Sequence, residues 1–130
     1  MKILVSLMLL WTAALAGCAT DTSDPCVGDH CVCVAGDTCD HTCATGAAEC
    51  HIQGAPNEAV NATCSNNAQC HVECEASSSC RVACGGSSDC NVTCPATGCT
   101  VTGCVGEACA VTCGLTGAIA TRSGTTATCP

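Results

Sequence analysis

The sequence has almost no positive charge and almost no aromatic rings. Of its 130 residues three are Lys or Arg and eleven are Asp or Glu, a formal charge of −8, with one Trp and neither Tyr nor Phe. Without a basic patch to neutralise phosphates, or rings on which bases stack, nucleic acid is excluded as a partner. The same acidity repels anionic lipid headgroups. Large aliphatic residues are also scarce: beyond residue 17 there are only Ile52, Leu115 and Ile119. The 48% hydrophobic fraction is therefore mostly Cys, Ala and Val. So small a set of side chains does not offset a conformational entropy cost of about 1–2 kcal/mol per residue, and covalent cross-links must supply the difference. Catalytic machinery is missing too. Lys2 is the only Lys, no Gly-rich phosphate loop leads into a helix, and a nucleophile–base pair such as Ser65 with His71 lacks an orienting third group. No catalytic residue and no cofactor is assigned, and the chain reads as non-enzymatic.

The chain opens with Lys2, the mainly apolar run Ile3 to Leu15, and Leu15-Ala16-Gly17-Cys18. This is the layout of a secretory signal, too short and wrongly flanked for a membrane span. Leu-Ala-Gly-Cys at the end of such a run resembles the lipobox of a bacterial lipoprotein signal. The resemblance implies cleavage before Cys18 and a diacylglycerol on its sulfur, so the membrane would be a partner through lipid alone. With Ala19 rather than Asp after the lipidated cysteine, it also implies sorting to an outer membrane in a cell that has one. Beyond the lipobox the chain resembles cysteine-rich repeat lipoproteins, which implies no activity. The expected organisation is a signal peptide over 1–17, a polar tether over 18–25 and a cysteine-rich repeat domain over 26–130.

What the sequence has in abundance is cysteine, 19 in all. From Cys70 to Cys94 a unit of Cys-x-Val-x-Cys plus five small or polar residues repeats in register. Units begin at Cys39, Cys50, Val60, Cys70, Cys80, Cys90, Cys99 and Cys109, with a degenerate one at Ile119. Their third positions are His41, Ile52, Ala62, Val72, Val82, Val92, Val101 and Val111. Alternation with period two around β-branched centres predicts short strands with Cys, Val and Cys on one face. Cys104 comes one residue late after Gly103, which predicts a bulge. Segments such as Gly85 to Asp89 are turn formers. A fixed short period predicts a stacked solenoid. Residues 26–38 break the period, and the Gly- and Thr-rich residues 114–128 read as a cap.

With Cys18 given to lipid, eighteen cysteines remain, an even set that in an exported chain reads as a disulfide framework. Gly54 and Val60 stand where the second cysteine of one unit and the first of the next belong. If each unit's second cysteine bonds to the first of the next, losing one bond removes both; other schemes would orphan a partner. The predicted pairs are Cys26–Cys31, Cys33–Cys39, Cys43–Cys50, Cys64–Cys70, Cys74–Cys80, Cys84–Cys90, Cys94–Cys99, Cys104–Cys109 and Cys113–Cys129. Pairing within a strand fails, because its ends lie about 13 Å apart whereas bridged Cα atoms lie about 4.4–6.8 Å apart. The expected fold is all-β, a small disulfide-laced β-solenoid in which strands n and n+2 stack, about twenty residues per coil. A disulfide-rich β-meander is the alternative, but leaves the Cys-Val-Cys face uncovered.

Other features of the sequence point to different chemistry. Cys31-Val-Cys33, Cys39-Asp-His41-Thr-Cys43, Cys50-His51 and Cys70-His71 bring thiols near imidazoles, as a metal-sequestering protein would. The strand-like spacing and an oxidising compartment favour disulfides, and no metal ligand is assigned. His51 and His71 are expected to stack on one outer face beside Gln53 and Glu73, a candidate for a weak surface metal site that reads better as solvated strand residues. The inferred architecture is also similar to that of two-sided β-solenoid antifreeze proteins, whose ice-binding ranks are Thr-x-Thr. Here the rank reads Asn61 and Thr63, Arg81 and Ala83, Thr100 and Thr102, so ice binding is not expected. Asn61-Ala62-Thr63 and Asn91-Val92-Thr93 match glycosylation sequons, and beside a bacterial-type signal they read as strand composition. The function expected is that of a lipid-anchored structural or interaction protein of the cell envelope, with metal sequestration as the alternative.

Overall fold

A computed structural model describes residues 30–43, 49–86, 88–114 and 116–129. The expected signal, tether, Cys18 and Cys26 lie outside the described residues. Strands alternate between two six-stranded sheets. In chain order they are β1 (His30–Val32), β2 (Cys39–Cys43), β3 (Cys50–Gln53), β4 (Ala59–Cys64), β5 (Gln69–Glu73), β6 (Ser79–Cys84), β7 (Asp89–Cys94), β8 (Thr100–Thr102) and β9 (Cys109–Cys113). The short β10 (Ala118–Ile119), β11 (Thr121–Ser123) and β12 (Thr126–Thr128) follow. One sheet runs β1-β3-β5-β7-β9-β10 and the other β11-β12-β8-β6-β4-β2. Strands n and n+2 are parallel and in register, with Val72 beside Ile52 and Val92, and Val82 beside Ala62 and Val101. The fold is thus a β-solenoid of about four turns, not a meander.

Alternation explains the two layers. In β6 and β7 every second residue is buried, and these are the Cys, Val and Cys of each unit. Ile52, Val60, Val72, Val82, Val92 and Val101 are fully buried between the sheets. The core is thin because a single apolar side chain per strand separates two cysteines. Bridges line the two narrow edges where one sheet turns into the other. Along one edge run Cys43–Cys50, Cys64–Cys70, Cys84–Cys90 and Cys104–Cys109. Along the other run Cys33–Cys39, Cys74–Cys80, Cys94–Cys99 and Cys113–Cys129. Their Cα separations span 5.3 to 6.4 Å, within the range a disulfide spans without moving backbone. Gly54 and Val60 form the gap in the second column. There Val60 is fully buried, and Ser77 packs its hydroxyl where a Gly54 side chain would stand.

The structure departs from the sequence expectations at the two ends. Residues 30–32 do not break the period: β1 is parallel to β3, with Cys31 beside Ile52. Cys31 takes the third position of a unit one period before Cys39, so parity was kept while composition changed. At the other end no parallel unit begins at Ile119. The chain reverses at Gly117 (φ 66°), and β10 runs antiparallel to β9 with Ile119 exposed. The β11–β12 hairpin then lays β12 antiparallel on β8, placing Ala127 over Val101. Arg122 donates from Nη1 to the Gly106 carbonyl at 2.9 Å and from Nη2 to that of Cys109, tying the hairpin to the last coil. Despite the reversal, Cys129 donates its N–H to the Cys99 carbonyl at 3.2 Å and continues the bridge column. Where a bulge was expected, β8 ends and Gly103 turns with φ 73°. A Cβ there would collide with the Cys84 carbonyl oxygen.

Candidate functional site

With the cysteines and valines facing inward, the intervening residues form straight ranks on the two flat outer faces. On the second sheet one rank reads Asp40, Asn61, Arg81 and Thr100, and its neighbour Thr42, Thr63, Ala83 and Thr102. Asn61 Nδ2 donates to Asp40 Oδ1 at 2.8 Å along the first rank. Ranks alternate in chemistry from coil to coil, as the sequence expects, and Arg81 and Ala83 separate the threonines.

The first sheet carries the chemistry. Its backbone register places His30, His51, His71 and Asn91 at one ladder position of four successive strands. Parallel strands stack about 4.8 Å apart, and the His51 and His71 rings follow that spacing, with centroids 4.7 Å apart and planes 11° from parallel. Both Nε2 atoms converge on one carboxylate oxygen, Glu49 Oε1, at 3.0 Å from His51 and 3.3 Å from His71. One ligating atom from each of the three residues lies within 4.8 Å of the other two. The side chains are 33%, 39% and 47% exposed for His51, His71 and Glu49, so the cluster is open to solvent. Val32, Gln53 and Glu73 line a shallow depression alongside the rings.

The two histidines stack as expected from their places in successive units, but the carboxylate at their Nε2 atoms is Glu49 rather than Glu73. Glu49 immediately precedes β3 and stands two residues before His51, the parity that faces the same side. That offset is the signal the sequence carries for Glu49, and it falls outside the Cys-x-Val-x-Cys frame.

The other groupings of sulfur and imidazole are of a different kind. Cys33, Cys39 and His41 converge, as do Cys43, Cys50 and Cys70, and Cys94, Cys99 and Cys129. Every described cysteine is disulfide-bonded, and a disulfide sulfur is not the thiolate that binds soft metals. His41, expected at an inward position, is half-buried beside Ala62. The eight bridges described here join the pairs that the sequence predicts for those cysteines, and Cys31 is bonded as well. Disulfides this dense fit an extracellular or exported protein. No family model, curated protein or solved structure matches the chain.

Proposed function

We propose that the chain is a lipid-anchored, disulfide-rigidified structural or interaction protein of the bacterial cell envelope, without catalytic function. The observation that carries the proposal is the double column of bridges, which pins the strands at both narrow edges and keeps the outer ranks at fixed spacing without help from a ligand. Such a body suits display of a rigid, acidic surface where proteases and fluctuating conditions would unfold a looser one. Among the described residues no helix is long and apolar enough to cross a membrane. In this reading Leu15-Ala16-Gly17-Cys18 supplies the attachment through lipid on Cys18, and Ala19 directs the protein to an outer membrane.

The test is metabolic labelling with palmitate and fractionation of a bacterial host expressing the full chain. The labelled protein is expected in the membrane fraction, and Cys18→Ser is expected to abolish label and release the protein from the membrane. An unlabelled wild-type protein, or a Cys18→Ser variant that stays in the membrane fraction, would refute the anchored reading.

A further inference from the structure

We propose that Glu49, His51 and His71 form a surface binding site for a divalent late transition ion, with Zn²⁺ as its simplest occupant. The donor set is two imidazoles and one carboxylate, which suits zinc and copper and is poorly matched to the all-oxygen preference of calcium or magnesium. In a tetrahedral zinc site with bonds of about 2.0–2.1 Å, ligating atoms sit roughly 3.4 Å from one another. The two Nε2-to-Oε1 distances of 3.0 and 3.3 Å lie close to that edge length. The Nε2 atoms reach this position because the ladder holds the rings in parallel 4.7 Å apart. A small rotation of the half-exposed side chains brings them onto one ion.

Preorganisation is what separates this cluster from an ordinary pair of surface histidines. Cys50 and Cys70, each one residue before its histidine, sit side by side in the ladder and are bonded to Cys43 and Cys64. The backbone under both imidazoles is therefore fixed before any ion arrives, and little ordering entropy opposes binding. In the ion-free protein both Nε2 atoms already lie at ion-pairing distance from the carboxylate. Each imidazole would bind an ion in its neutral form through Nε2, with its ring proton on Nδ1. The three side chains are partly exposed, so an ion can reach them from solvent. Unlike thiol-based sequestration, this site uses no sulfur and persists in the oxidised protein.

The test is a calorimetric titration of the full, oxidised chain with Zn²⁺, with Mg²⁺ as the comparison ion and a thiol assay to establish that no free sulfur contributes. One equivalent of Zn²⁺ is expected per chain, with no heat from Mg²⁺. His51→Ala and His71→Ala are each expected to weaken binding by about tenfold or more, and Glu49→Gln by a comparable factor. All three are partly exposed and should leave the circular dichroism spectrum and the bridge count unchanged. His41→Ala should bind as the parent does. Absence of Zn²⁺ binding, parental affinity in both histidine variants, or loss of binding in His41→Ala would overturn the proposal.

Discussion

The gap at Gly54 and Val60 offers a direct test of why the bridges fall where they do. Gly54 follows β3 and Val60 lies in β4, the same relation that Cys74 and Cys80 have to β5 and β6. A cysteine at each should complete the column. A Cβ on Gly54 would come within 2.9 Å of Val60 Cγ2 and would collide with Ser77 Oγ. The first obstacle goes when Val60 is shortened to cysteine, but the second does not. Ser77 is 5% exposed and its hydroxyl has no hydrogen-bond partner among the described residues. The combination Gly54→Cys, Val60→Cys and Ser77→Ala is therefore the one expected to close. A bridged loop of seven residues is worth about 2 kcal/mol in the chain-entropy model. Trimming Val60 gives back roughly 1 kcal/mol of apolar burial, and removing an unpaired buried hydroxyl returns about as much. The triple variant should exceed the parent by about 2 kcal/mol, and Ser77→Ala alone by about 1 kcal/mol. Guanidinium unfolding followed by far-ultraviolet circular dichroism measures both, since the repeat domain has no Trp, Tyr or Phe to report by fluorescence. Mass spectrometry without reductant counts the added bond. If the triple variant keeps two free thiols, or if Gly54→Cys with Val60→Cys oxidises and gains as much with Ser77 in place, the account of this gap is wrong.

Two further substitutions probe the core and the end of the stack. Val92→Ala opens space beneath a fully buried side chain and should cost about 2 kcal/mol in the same unfolding assay; a change below the error of the fit would mean that the thin core contributes little beside the bridges. Gly103→Ala forces a side chain against the Cys84 carbonyl at a positive φ and should lower stability by at least about 2 kcal/mol. Hydrogen exchange should rise first in β8 and β12, and uniform exchange across the domain would contradict that placement.

Much of the fold could be read from residue order because two periods coincide. Alternation in twos assigns the strands, and the unit of ten sets which strands stack. The paired loss at Gly54 and Val60 identifies partners that spacing alone leaves open. What escaped were places where composition and parity part company. Cys31 stands in a third position otherwise held by Ile52 and Val72 in the same column, so the first coil looked irregular. In the terminal segment neither cysteines nor valines mark a register, and the antiparallel return of β12 depends on turns and on Arg122 rather than on any repeat. The candidate site was half legible. The stacking of His51 on His71 follows from the unit, whereas the choice of Glu49 over Glu73 depends on how far and in which direction a flexible carboxylate reaches.

Each described bridge joins a cysteine to the next one along the chain, and most close loops of five to seven residues in sequence separation. A polypeptide threading through a membrane from its N-terminus exposes its thiols in that same order. An oxidant that bonds each newly emerged thiol to the one waiting before it makes the native set from the outset, one arch at a time, with no reshuffling. Among the described bridges only that of Cys113 has a long wait, until Cys129 arrives 16 residues later. For a chain exported in this way, as proposed above, that bond closes only after the capping hairpin has crossed.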